Sequence, residues 1–154
     1  MAKAGFKIID AEPHFLEPHD LWQRNLPEPW RSKTKVNSLD KGKTGEGGAE
    51  VSVEGKDVPQ TSGPRLVRER AFRRVAAQPL LAKVTDQPSP ENFIEGFDVE
   101  GIDVGVMMPT VAMSIVRFDG LDPQHSLALC RVYNDFASDF VKSSPDRLKF
   151  WGWL

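Results

Sequence analysis

The sequence predicts an α/β fold, and three observations carry that expectation. Residues 102–108, IDVGVMM, form a nearly uninterrupted apolar run ended by Pro109, the pattern of a strand buried on both faces as in parallel sheets. Helical patterns flank it, with a marked start at Ser89-Pro90-Glu91 before it and a long apolar periodicity from residue 124 after it. Shorter apolar runs at residues 6–11 and 148–154 complete the order strand, long excursion, helix, strand, helix, strand. Such alternation calls for parallel strands joined by crossover connections.

Each element has its own local reason. Phe6, Ile8 and Ile9 mark a first strand, with these three expected in the core. Prolines at 13, 18, 27 and 29 then leave room only for a short helix near residues 20–25, with Asp20 as its cap. Residues 32–64 are rich in Gly, Lys, Ser and Thr and read as a loop. Within it, residues 49–54 alternate with period 2, and Gly55-Lys56 turns them back through Asp57-Val58 as a small hairpin. PRLVRERAFRRVAAQ, residues 64–78, reads as a basic amphipathic helix. Ser89 caps the next helix, Pro90 takes its first position and Glu91 suits its positive end, while Gly101 marks its left-handed terminus. After a loop over residues 110–123, the apolar positions 129, 132, 133, 136, 140 and 141 follow helical spacing until Pro145.

The totals are those of an ordinary globular chain of 154 residues, 40% hydrophobic and 27% charged, with a net charge of −2. That balance gives no overall pull towards nucleic acid or an anionic membrane, and no stretch is long enough to span a bilayer. A lone cysteine, Cys130, excludes an internal disulfide and sits mid-helix as a core thiol, so a cytoplasmic location is expected. Charge is uneven: residues 31–87 carry 12 Lys/Arg against 7 Asp/Glu, and the remainder 8 against 15. The basic insert lacks interleaved aromatics, and Glu69 interrupts its arginines, so a solvated or acid-docking helix face is expected there rather than a nucleic-acid contact.

Chemistry concentrates in IIDAEPHFLEPHDLW, residues 8–22, where Glu12 and His14 stand two apart as the first strand ends. On a regular strand they share a face, and in a parallel sheet the C-terminal strand ends bind ligands. A carboxylate and an imidazole so placed suit a divalent metal. The spacing alone equally fits a loop histidine bonded to backbone beside a solvated Glu12. His19 and His125, the other histidines, read as surface residues, the latter near a helix terminus.

That stretch resembles the opening of the amidohydrolase superfamily, in the branch related to aminocarboxymuconate-semialdehyde decarboxylase. FDVEGIDVGVMMPT, LALCRVYNDFASDFVKSSPDRLKF and FWGWL are similar to that branch in the same order, so the resemblance covers residues 6–30 and 90–154 and leaves out the basic insert at about 32–87. It implies that residues 1–154 are the N-terminal portion, about three strand-helix units, of a metal-dependent (β/α)8 barrel, a fold that typically needs about 250 residues. By the same resemblance Glu12 and His14 are metal ligands, with zinc the expected divalent ion, and Thr110 lies at the active-site end, where it touches substrate. Trp22 and Trp30 are expected to pack the first loop over the barrel mouth, with lining of a substrate pocket as their alternative role. The implied activity is hydrolysis or non-oxidative decarboxylation of a small carboxylated or cyclic organic substrate. The remaining ligands and the general base would come from a complementary polypeptide or oligomer. The alternative is a non-catalytic barrel fragment or subunit that acts only through association.

Overall fold

The computed structural model describes residues 5–39, 48–58, 79–86, 88–116 and 118–154. The expected basic helix over residues 64–78 lies outside them. In chain order the elements are β1 (Ile9–Asp10), β2 (His14–Phe15), α1 (Leu21–Asn25), α2 (Trp30–Lys33), β3 (Thr34–Leu39), β4 (Gly48–Val53), β5 (Lys56–Asp57), α3 (Pro79–Asp86), α4 (Pro90–Glu100), β6 (Val104–Pro109), α5 (Val111–Val116), α6 (Pro123–Val141) and β7 (Leu148–Phe150).

The predicted α/β order holds. β6 is the central strand of a parallel sheet, with β1 and β2 on one side and β7 on the other. On the β7 side, Gly105 pairs with Leu148 and Met107 with Phe150. On the other side, Ile9 opposes Val104 and Asp10 opposes Gly105, yet His14 opposes Met108 and Phe15 opposes Pro109. Ala11, Glu12 and Pro13 therefore face only Val106 and Met107, so β1 and β2 are one strand interrupted by a one-residue bulge. Two local causes are visible. Pro13 has no N–H to give to the ladder, and the Asp10 carboxylate accepts the Glu12 N–H at 2.9 Å, closing a tight Asx turn.

α4 and α6 cover one face of this sheet. Phe15 stacks on Phe136 with ring centroids 5.5 Å apart and meets Phe140 at 5.1 Å, and Phe93 joins them edge-on at 5.9 Å from Phe140. Gly105 lets α4 approach, because a Cβ there would overlap the Phe97 ring. The α4 termini follow the sequence: Ser89 Oγ accepts the Asn92 N–H at 3.3 Å, and Gly101 adopts φ 76°. Arg147 then fastens the β6 and β7 entrances through the carbonyls of Ile102 and Asp103 and the carboxylate of Asp98.

β3, β4 and β5 form a separate antiparallel sheet. The expected hairpin is present, but its turn is at Glu54-Gly55, with φ of 55° and 75°, one residue earlier than the sequence indicates. β3 was expected to be loop. Its burial of Thr34 and the inward Val51 and Val53 of β4 give this hairpin its own share of the common core. Three further expectations need correction. Phe6 and Ile9 were placed in the core but are 76% and 60% exposed, Ile9 because its side of the sheet is uncovered among the described residues. Asp20 precedes α1 without a capping bond and instead pairs with Arg24 one turn on. The loop after β6 contains α5, whose Ala112 and Ile115 are fully buried. Among the described residues no helix is long and apolar enough to cross a membrane.

Candidate functional site

The C-terminal end of the parallel sheet gathers Glu12, His14, Thr110 and a residue the sequence reading left out, Glu17. Pro13 lies on the helix side, near the position a Gly105 side chain would take, and Phe15 stacks on α6. Glu12 and His14 alternate with them and are both exposed on the opposite, open side. His14 Nδ1 lies 3.1 Å from the Pro109 carbonyl oxygen and 3.4 Å from Thr110 Oγ1. A carbonyl only accepts, so Nδ1 carries a proton, and in the neutral ring the lone pair is on Nε2. This is the tautomer of a histidine that binds metal through Nε2, with its other nitrogen held by a backbone carbonyl.

Thr110 was expected to touch substrate. It is half-buried, and its hydroxyl donates to the Phe15 carbonyl at 2.9 Å, tying the end of β6 to the end of β2. Glu17 sits beneath it, 2% exposed. Its carboxylate accepts the N–H groups of Thr110 (3.1 Å), Val111 (2.8 Å) and Ala112 (3.2 Å), the unpaired donors at the start of α5. Burial pushes the Glu17 carboxyl above its ordinary value, and those backbone bonds oppose the rise. The clue in the sequence was an acid one residue before Pro18, five residues after Glu12; nothing local says that its partners lie more than ninety residues away.

Trp22, expected to pack the first loop with pocket lining as the alternative, is a core residue 1% exposed. α1 turns Leu21 and Trp22 inward and packs on α6, which removes the indole from any open surface. His125 is also displaced from its expected surface position. It is fully buried, stacked on Trp30 at 4.9 Å. Its Nδ1 meets Glu54 Oε1 at 3.0 Å and its Nε2 meets Thr34 Oγ1 at 2.8 Å. The imidazole hydrogen bond holds the Glu54 carboxyl below its ordinary value. This contact clasps the hairpin to the first turn of α6. His19 is exposed, and Cys130 is buried with its thiol pushed up by burial.

The side chains at this strand end that could contribute to holding a metal are one carboxylate, Glu12, and one imidazole, His14, whose Nδ1 is engaged by the Pro109 carbonyl. Among the described residues no group of three His, Cys, Asp or Glu side chains is assembled to hold a metal ion. An open groove lined by Glu91, Glu95 and Asp98 of α4 with Ser143 and Ser144 contains none of the strand-end residues.

No protein-family model matches the sequence, and no curated protein matches it. Among solved structures, the chain is similar to the crystal structure of an amidohydrolase from Mycobacterium avium subsp. paratuberculosis K-10, with a TM-score of 0.61 and 17% sequence identity over 97% of this chain. It spans 43% of the length of that amidohydrolase chain. The fold of this protein is thus that of a part of an amidohydrolase structure.

Proposed function

We propose that this chain provides the first strands of a metal-dependent hydrolase or non-oxidative decarboxylase acting on a small carboxylated or cyclic organic substrate. Glu12 and His14 are then two ligands of a divalent metal, with zinc favoured by a nitrogen and an oxygen donor. The observation that carries this reading is the exposed His14 beside an exposed Glu12, its Nδ1 held by the Pro109 carbonyl. A bound divalent metal supplies a Lewis acid that activates water or orients a carboxylate. The chain's own part is to aim Nε2 and the Glu12 carboxylate to one side of the sheet.

In this reading a complementary polypeptide or further protomer supplies the other ligands and the general base. β1 and β7 each have one unpaired edge among the described residues, and strand edges accept partners. The lone Cys130 fits a reducing compartment such as the cytoplasm. The test is metal content after dialysis against zinc, measured with and without a candidate partner. Zinc retained near one equivalent by the assembled protein, and lost in Glu12→Ala and His14→Ala, is expected. A second reading, a non-catalytic barrel subunit acting by association, is favoured by the lack of a three-ligand group among the described residues. An assembly that forms normally yet retains no zinc decides for it.

A further inference from the structure

Glu17 is a nearly buried carboxylate whose hydrogen bonds go to one short backbone stretch. That stretch begins one residue after Pro109, whose carbonyl meets His14 Nδ1. It includes Thr110, whose hydroxyl bonds the Phe15 carbonyl and also faces His14 Nδ1. Three features of His14 therefore depend on where residues 109–112 sit: the acceptor that fixes its proton, the polar atom flanking its ring, and the main chain of its neighbour. We propose that Glu17 is the positioning residue of His14, acting through the backbone of residues 109–112 to keep the proton on Nδ1 and the Nε2 lone pair towards the open side of the sheet.

The chemistry favours a carboxylate in this role. Three successive N–H groups converge on it, and only an acceptor-only group with two oxygens satisfies them all. Were the carboxylate lost, residues 110–112 would turn their N–H groups to other acceptors and carry the Pro109 carbonyl with them. His14 would then be free to move its proton to Nε2, the nitrogen needed as a donor pair. Partners of a ligand histidine commonly change metal affinity by about 10–100-fold when removed, and Glu17, one step further out, is expected to act at the lower end.

The inference rests on the metal reading only for its purpose, and its test does not. Long-range nitrogen–proton NMR of the full chain, with its histidines labelled, reads the tautomer of His14. The wild-type protein is expected to show the Nδ1–H form. Glu17→Gln, which keeps the shape but offers one acceptor oxygen and an intruding NH2, is expected to give a mixture with a substantial Nε2–H share. The amide signals of Thr110, Val111 and Ala112 should shift, with the rest of the spectrum unchanged. Glu17→Asp, which withdraws the carboxylate by one methylene, is expected to give a smaller change of the same sign and serves if the glutamine variant does not fold. A wild-type His14 in the Nε2–H form, or a tautomer unmoved by both substitutions, overturns the inference whatever the metal content. A tautomer that moves as expected, together with an assembled protein that retains no zinc, upholds it and instead overturns the metal reading.

Discussion

His125→Ala is expected to loosen the hairpin from the rest of the chain, and its magnitude follows from what the imidazole touches. The ring is fully buried between Trp30, Thr34 and Glu54. Its removal leaves the Thr34 hydroxyl, 2% exposed, without its side-chain partner. A buried polar group left unpaired costs about 1–3 kcal/mol. Loss of the stack on Trp30 adds about 0.5–1.5 kcal/mol. Glu54 lies at the rim and keeps the Asp122 N–H at 3.2 Å, so the lost pairing there adds little. The expected destabilisation is about 1.5–4.5 kcal/mol, a large share of the stability of a single domain. Urea denaturation followed by tryptophan fluorescence reads it as a lower midpoint at unchanged slope. A cycle with Thr34→Val separates the causes: in the His125→Ala background the valine should be nearly neutral or stabilising, since both polar partners are then gone. A loss below about 0.5 kcal/mol for His125→Ala, within the range of ordinary surface substitutions, or strict additivity in the cycle, refutes the clasp.

Acid should weaken the Glu54 contact of the same clasp. The Glu54 carboxyl is held below its ordinary value chiefly by His125, so its stabilising contribution is present above about pH 4.5, the ordinary value, and is lost as pH falls through the depressed one. Hydrogen exchange at the backbone of Val51 and Val53 should quicken across that window before the parallel sheet responds, and simultaneous loss of both would argue against a local release. Gly105→Ala places a methyl group against the Phe97 ring and should cost about 1–3 kcal/mol by overpacking, read as a fall in Tm; an unchanged Tm would mean that α4 does not approach β6 as described. Ser89→Ala removes the cap on the Asn92 N–H and should cost about 1 kcal/mol, with Ser89→Asp restoring it in chemical denaturation.

The regular half of the molecule was legible because its signals are local. Ser89-Pro90-Glu91 and Gly101 bracket α4 as expected, and the apolar run before Pro109 is β6. The long periodic helix is α6, starting one residue earlier than expected. The misreadings share one cause, which is contact at long range. Whether His125 is a surface residue depends on Thr34 and Glu54, 91 and 71 residues earlier. Glu17 becomes a cap only because α5 begins 94 residues later, at Val111. β3 lies in a stretch whose composition reads as loop, and it becomes a strand through pairing with β4. Trp22 was legible in part: packing was expected of it, and its large apolar ring is buried in the core, which leaves no room for the alternative of lining a pocket.

Local spacing alone would misplace the strand-end pair itself. Had the first strand run without interruption from Ile9, strict alternation would place Asp10, Glu12 and His14 on one face, and the register at Asp10 puts that face with Gly105, against the helices. His14 would then be buried under α6 and Phe15 would stand on the open side. The added residue at Ala11–Pro13 inverts the parity, because a shift of one residue exchanges the two faces of a strand. Beyond the bulge Phe15 opposes Pro109 and enters the aromatic core, while His14 opposes Met108 and leaves it. The Asx turn of Asp10 and the missing N–H of Pro13 are therefore what delivers an imidazole to the open side at the C-terminal end of the sheet. Glu17 and Thr110 then fix how that imidazole is turned.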